Sequence, residues 1–245
     1  MATVESYAPL MAKAPKVFNF FLKQPWVRDL SKTHIGMVDL PLLSSPSLKQ
    51  QLGGHPAMSL TLEQLETMDS AQRENCVLVV QDPFTSYYEA QLVTDFVKLI
   101  EKLGYRPVLL PFSPNGKAQH VKGFLQRFAR TAGKTAEFLN RVAKLGMPMV
   151  GVDPATVLCY RDEYQEVLGE QRGEFKVQLV HEWLQQALDA RAVQTASGEA
   201  WYLFAHCTEV TALPSTPNQW QDIFARFGAK LENVNVGCCG MAGTY

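Results

Sequence analysis

One stretch of this chain repeats another at a fixed spacing, and that repeat restricts the fold more than any other feature. Cys76-Val77-Leu78-Val79-Val80-Gln81 is a continuous apolar run of the kind found in buried parallel strands. Leu92, Val93, Phe96, Leu99, Ile100 and Leu103 then recur at helical spacing, and Gly104 stops the helix. Arg106 to Phe112 is a second strand, ending in the turn Ser113-Pro114-Asn115-Gly116. The same order returns 124 residues later. Val77–Val80 falls on Trp201–Phe204, and Phe96, Leu99, Ile100 and Leu103 fall on Trp220, Ile223, Phe224 and Phe227. Gly104 falls on Gly228, Asp82 on His206 and Gly116 on Gly240. A strand–helix–strand unit repeated without gaps predicts an α/β fold made of two related parallel-sheet halves with flanking helices.

The remaining elements fit that scheme. Residues 1–75 form a helical and irregular lead-in, with a short aromatic-faced helix over Lys16–Leu22 that stops near Pro25. Thr61-Leu62-Glu63-Gln64 has capping-box spacing and opens a helix to about Met68. Residues 76–170 make the first half. After its two strands comes a long helical stretch over Ala118–Leu145 with a break expected at Gly133, then a strand over Pro148–Val152. Asp153-Pro154 starts a further helix through Tyr164 and Val167. Residues 171–245 make the second half, opening with an amphipathic helix over Val177–Ala190. The first half continues past its turn through another strand and helix. The second half has no counterpart to these, so the natural polypeptide is expected to run on, with a strand and helix after Tyr245.

Composition excludes several classes of function. The 245 residues are 47% hydrophobic and carry a formal charge of −1, so no basic field exists for nucleic acid. Apolar runs such as Met147–Val152 are far shorter than a membrane span, and no secretory leader pattern opens the chain; a cytoplasmic protein is expected. Five cysteines at uneven spacing do not form a disulfide scaffold and read instead as metal-binding, redox-active or buried thiols.

Three of those cysteines are placed for chemistry. Cys207 ends one strand, and Cys238-Cys239 ends its predicted neighbour between Gly237 and Gly240. In a parallel sheet both ends lie on the carboxyl edge, so these thiolates can converge across the 30 intervening residues. Soft thiolates suit iron–sulfur clusters, zinc or copper. The side chains of a vicinal pair diverge, which favours two irons over one tetrahedral zinc, and the glycines allow close backbone approach. Zinc with His206 as a further ligand, a thiol redox pair and inert thiols remain the alternatives. His206 could also act behind a ligand, or simply pack. Cys159 reads as a buried small hydrophobe or a ligand, and Cys76 as structural. Asn115, Gly116, Lys117 and His120, with Lys122, Arg127 and Arg130 following, could attract an anion or a partner at a helix start; a solvated basic face is the plainer reading. Arg161-Asp162-Glu163-Tyr164 is either a buried polar network beside Thr156 or an exposed helix face.

Cys207 followed by Cys238-Cys239-Gly240 resembles the cysteine-rich CCG domain. That domain occurs in heterodisulfide reductases, in the iron–sulfur subunit of glycolate oxidase and in anaerobic glycerol-3-phosphate dehydrogenases. It is usually duplicated, each copy reading Cys…Cys-Cys-Gly…Cys-x-x-Cys. Longer stretches resemble the C-terminal region of large bacterial FAD- and iron–sulfur-containing D-2-hydroxyacid dehydrogenases of the D-2-hydroxyglutarate or D-lactate type. They are Val80 to Tyr87, Leu110 to Lys117 and Asp153 to Tyr164. The resemblance implies an electron-transfer role, with Cys207, Cys238 and Cys239 as cluster ligands and a Cys-x-x-Cys beyond Tyr245. It implies FAD elsewhere in the full-length protein, flavin and ferredoxin-like domains of the same chain as partners, and no dehydrogenase activity in these residues alone. The cluster itself is then expected to be incomplete or absent in this fragment. The first half departs from the pattern: Pro83, Pro114 and Asn115 replace cysteines, and Thr156-x-x-Cys159 keeps only its second one. A non-catalytic docking module with relic or switch cysteines, or a zinc-stabilised domain, is the competing reading.

Overall fold

A computed structural model of the chain describes residues 3–36, 40–58, 60–189 and 200–237. The lead-in is helical: α1 (Val4–Met11), α2 (Pro15–Leu22), α3 (Pro25–Ile35), α4 (Leu48–Gln51), α5 (Leu62–Thr67) and α6 (Ser70–Glu74). Pro25 does not merely end α2. It opens α3, because a proline at the first helical turn lacks an N–H that would be unpaired there anyway. The Thr61 capping box forms as expected, with Thr61 Oγ1 accepting from Gln64 N–H and Gln64 Oε1 from Thr61 N–H.

The next elements are β1 (Cys76–Val80), α7 (Pro83–Tyr87), α8 (Ala90–Lys102), β2 (Arg106–Leu109), α9 (Lys117–Val121), α10 (Leu125–Ala143), β3 (Met149–Gly151), α11 (Pro154–Arg161), α12 (Glu163–Leu168), β4 (Val177–Leu179) and α13 (Val180–Asp189). The four strands form one parallel sheet in the order β2-β1-β3-β4. Side chains alternate between its faces. Leu78, Val80, Val108 and Met149 join Phe128, Ala132, Ala136 and Leu139 of α10 on one side. Val77, Val79 and Val150 join Val93, Phe96 and Ile100 of α8 and Trp183 and Leu184 of α13 on the other. Helices therefore cover both faces, as an all-parallel sheet requires.

Two sequence expectations need correction. The helical stretch after the Asn115-Gly116 turn breaks at Gly123 rather than Gly133: Gly123 takes φ +76 between α9 and α10. Gly133 lies within α10, which buries Phe128, Ala132, Ala136 and Leu139 as a single stripe on either side of it. The helix expected over Val177–Ala190 begins as a strand. Val177 and Leu179 point into the first core, and β4 pairs with the free side of β3 before the chain turns into α13. Helical periodicity in the segment masked this short edge strand.

The chain closes with β5 (Ala200–Leu203), α14 (Cys207–Ala212), α15 (Thr216–Arg226) and β6 (Lys230–Asn233), where β5 and β6 form a two-stranded parallel sheet. The repeat is visible in the hydrogen bonding. β1 and β2 pair Cys76 with Arg106 through Val79 with Leu109, while β5 and β6 pair Ala200 with Lys230 through Leu203 with Asn233, each residue 124 positions on. Leu110 N–H reaches Val79 O at 3.0 Å, and Val234 N–H reaches Leu203 O at 3.0 Å. Gly104 and Gly228 end their helices at φ +76 and +71. Tyr105 and Ala229 N–H then donate back to Ile100 O and Phe224 O. Ile223 of α15 joins the core between α8 and α13, which seats the second unit on the first.

Candidate functional site

The order β2-β1-β3-β4 changes direction between β1 and β3, and α/β proteins place their sites outside the carboxyl ends at such a point. Two Asp-Pro pairs flank it. Asp82 follows β1 and accepts from Phe84 N–H (2.8 Å) and Thr85 N–H (2.9 Å), with its other oxygen bonded by the Thr85 hydroxyl. Asp153 follows β3 and accepts from Thr156 N–H (2.8 Å) and Thr156 Oγ1 (2.6 Å). Both carboxylates cap helices whose first residue is proline. Burial, followed by the nearby Asp153 carboxylate, pushes the Asp82 carboxyl up to about 7.

The turn after β2 completes this edge. Asn115 N–H donates to Glu5 Oε1 at 2.6 Å, and Gly116 N–H lies 3.0 Å from each Glu5 oxygen. Glu5 comes from α1, more than a hundred residues away in sequence, and burial raises its carboxyl above the usual range. Gly116 is required twice over. It sits at φ +76, and a Cβ there would lie 2.8 Å from Phe128 Cδ2. Asn115 Nδ2 donates to Thr156 Oγ1 (3.2 Å), Tyr164 OH to Asn115 O (2.8 Å), and Thr135 Oγ1 to Pro114 O (2.7 Å). Lys117 pairs with Glu163, and His120 Nδ1 stands 3.9 Å from the same carboxylate.

Of the residues considered for an external anion, Asn115, Gly116, Lys117 and His120 face partners within the protein, while Lys122, Arg127 and Arg130 are exposed, and the anion held by the Asn115 and Gly116 amides is the protein's own Glu5. Glu163 and Tyr164 join a polar network beside Thr156 through Lys117 and Asn115, whereas Arg161 turns to Glu182 and Val177 O and Asp162 is exposed. Cys159 is fully buried, and burial raises its thiol far above the ordinary range, so it is an inert apolar group here. Cys76 is likewise buried, its Sγ directed at Gln72 O. Sequence reading missed Glu5, which carries no local signal. The twin Asp-Pro pairs could have been found, since both follow apolar strands and precede helical spacing.

The second carboxyl edge differs. Cys207 is the first residue of α14, as Pro83 is of α7, and is half-buried just past the end of β5. His206 occupies the cap position held by Asp82 in the first unit, but it is exposed and makes no side-chain cap. Beyond β6 the chain reaches Gly237 at φ +66. Cys238, Cys239 and Gly240 lie outside the described residues. Glu209 holds α14 to the first unit: its Oε1 is 3.0 Å from His181 Nδ1, at ion-pair distance though off hydrogen-bond geometry, and both side chains are buried. Among the described residues no group of three His, Cys, Asp or Glu side chains could hold a metal ion.

Tested against an iron–sulfur cluster, the two edges give different answers. The first does not fit, because carboxylates, an amide and hydroxyls fill the positions where thiolates would be needed. The described part of the second supplies a single candidate ligand, Cys207. A partly accessible thiol stands at the carboxyl end of β5 beside the parallel strand that leads to Gly237.

No protein-family model matches the chain, and no solved structure matches it. Curated proteins do. The chain is 81% identical over all 245 of its residues to a D-2-hydroxyglutarate dehydrogenase of Pantoea ananatis, of which it covers 24%. It is 73% identical to the protein of that name from Escherichia coli and 42% identical to that from Pseudomonas putida, again covering 24% of each. The chain therefore spans about a quarter of the length of the curated relatives it matches.

Proposed function

We propose that this chain is the electron-transfer portion of a flavin- and iron–sulfur-dependent D-2-hydroxyacid dehydrogenase acting on D-2-hydroxyglutarate. Similarity over the whole of this chain to a quarter of dehydrogenases of that name supports the oxidoreductase assignment. The observation that supports the cluster role is the parallel pairing of β5 with β6, since Cys207 follows β5 and Cys238 and Cys239 follow β6 in the sequence, at the same carboxyl edge. Cys207, Cys238 and Cys239 would hold part of the cluster, and the cluster, when bound, supplies one-electron transfer between flavin and acceptor. The chain's own residues prepare the edge. β5 and β6 bring two chain segments side by side, Gly237 turns the backbone at positive φ, and Glu209 against His181 fixes α14 with its cysteine. The hydroxyacid and FAD sites belong to other domains of the full-length protein, with ferredoxin-like clusters between. No described helix is long and apolar enough to cross a membrane.

The test uses the complete protein purified anaerobically. Changing Cys207, Cys238 and Cys239 together to Ser is expected to lower the iron content by one cluster and remove that cluster's paramagnetic signal, while flavin content and the ferredoxin-like clusters stay constant. Unchanged iron would overturn the ligand assignment. The sealed first edge favours a second reading, in which both units serve docking and the three cysteines form a thiol switch or bind zinc. Reversible Cys238–Cys239 oxidation without iron, or stoichiometric zinc, would select it.

A further inference from the structure

Between α1 and the helices that follow the Asn115-Gly116 turn lies a cavity of about 310 Å³, lined by Thr3, Ser6, Gln119, Arg127, Arg130 and Thr131. It is separate from the turn itself, whose amides are taken by Glu5. Arg127 and Arg130 stand three residues apart on α10, so both guanidiniums leave the same side of the helix. Arg127 also lies over the Phe124 ring, its guanidinium carbon 5.5 Å from the centroid, which restrains it. Among the described residues neither arginine has a carboxylate partner, and no acidic side chain lines the cavity. The other walls add donors. Thr131 Oγ1 donates to Gln119 Oε1 at 3.0 Å, so the acceptor end of that amide is spent and its Nε2 hydrogens are left for the cavity. Thr3 stands at the cap position of α1 yet makes no side-chain cap bond, which leaves its hydroxyl for the cavity, and Ser6 brings a second. The positive end of the α1 dipole lies on the same wall.

We propose that this cavity binds a small oxyanion, a carboxylate or a phosphate, between α1 and α10. Each guanidinium offers a planar pair of N–H donors that matches two oxygens of one such group, and the amide and hydroxyls satisfy the oxygens that remain. With no carboxylate on the lining, nothing in the cavity competes for those donors. A bound anion also ties α1 to α10, and α1 is the helix that carries Glu5 into the first carboxyl edge. The ligand therefore reinforces the seal on that edge, because it binds only where α1 is docked. The proposal stands on the cavity and its donor set, whether or not the cysteines carry iron.

Phenylglyoxal, which modifies accessible guanidiniums, tests it on the complete protein, with the reaction followed at each arginine by peptide mass mapping. About 10 mM phosphate or succinate is expected to slow modification of both Arg127 and Arg130 by at least about tenfold relative to chloride at equal ionic strength. Protection by phosphate alone assigns a phosphoryl group as the ligand, and protection by succinate alone a carboxylate. Protection by neither overturns the proposal, and so do arginines that resist the reagent even in chloride, since the cavity is then filled by protein. Gln119→Glu puts a carboxylate into the cavity and is expected to abolish the protection. Protection that survives it would place the anion on the outer face of α10 and overturn the cavity as its site. Should that variant fail to fold, Ser6→Asp sets a carboxylate on the α1 wall for the same comparison. Lys122 is exposed and off the lining, and Lys122→Gln is expected to change the protection less than about twofold. An equal loss there would reduce the effect to the general charge of α9 and α10 and overturn the proposal.

Discussion

The strand pairs β1/β2 and β5/β6 are built on one plan and finished differently. Their registers coincide at the 124-residue spacing, and so do the glycine stops of the helices between them. Their carboxyl edges share almost no chemistry. In the first, Glu5, Asp82, Asp153, Asn115 and Thr156 close the edge into a hydrogen-bonded plug. In the second, the cap residue His206 is exposed and a cysteine opens the short helix. Backbone pairing is fixed by turns, helix stops and strand periodicity, which tolerate almost any change at the loop tips. The loop residues are therefore free to trade a ligand set for a structural lock.

The largest expected contrast concerns burial. Leu78→Ala removes a fully buried side chain from the first core and is expected to cost about 3 kcal/mol, read as a fall in melting temperature. Tyr202→Ala at the equivalent position is expected to cost less than about 0.5 kcal/mol in the 245-residue chain, because Tyr202 is largely exposed there. Equal losses would show the second sheet to be covered already.

Next comes the plug. Glu5→Ala leaves the Asn115 and Gly116 amides without their buried acceptor and is expected to cost about 2 kcal/mol. It should also release α1 to proteases before the first sheet unfolds, as peptide mapping would show. Simultaneous loss of α1 and the sheet would mean that the two are one cooperative unit.

The smallest effect is a pH dependence. Folding raises the Asp82 carboxyl from 3.8 to about 7, so the folded state binds a proton more tightly than the unfolded chain. The stability contributed by the protonated acid is complete below about 4 and is lost as pH rises through about 7. Asp82→Asn keeps a carbonyl acceptor for the Phe84 and Thr85 amides and removes that loss. Relative to wild type it is expected to gain on the order of 1 kcal/mol between pH 6 and pH 8. A pH-independent difference would mean Asp82 is ionised throughout.

Much of the architecture was legible from residue patterns. The apolar run at Cys76–Val80, the helical spacing through Ile100 and the glycines at 104 and 228 gave the parallel pairs, and the 124-residue spacing gave the equivalence of the two units. The misses have local causes. Gly123 and Gly133 look alike in sequence, but only the first sits where the chain turns with positive φ. Val177–Leu179 is too short for its period-2 pattern to stand out against the helix that follows. At the first edge, anion binding at Asn115-Gly116-Lys117 was the less favoured of two readings, and nothing local names Glu5 as the anion, because that contact is made across 110 residues of chain.

Sequence alone determined that this protein is α/β, that it repeats itself, and that Cys207, Cys238 and Cys239 lie in its second repeat. Those properties follow from side-chain period, backbone-permissive glycines and residue identity, all of which are local. Only the tertiary structure decided that the first edge is sealed by its own side chains, while the described part of the second has an exposed His206 and a half-buried Cys207. That outcome depends on where α1 docks, on which buried carboxylates share the crevice, and on a strand face with nothing described to cover it. Each is set by long-range packing and by the cost of burying charge, which no local pattern records.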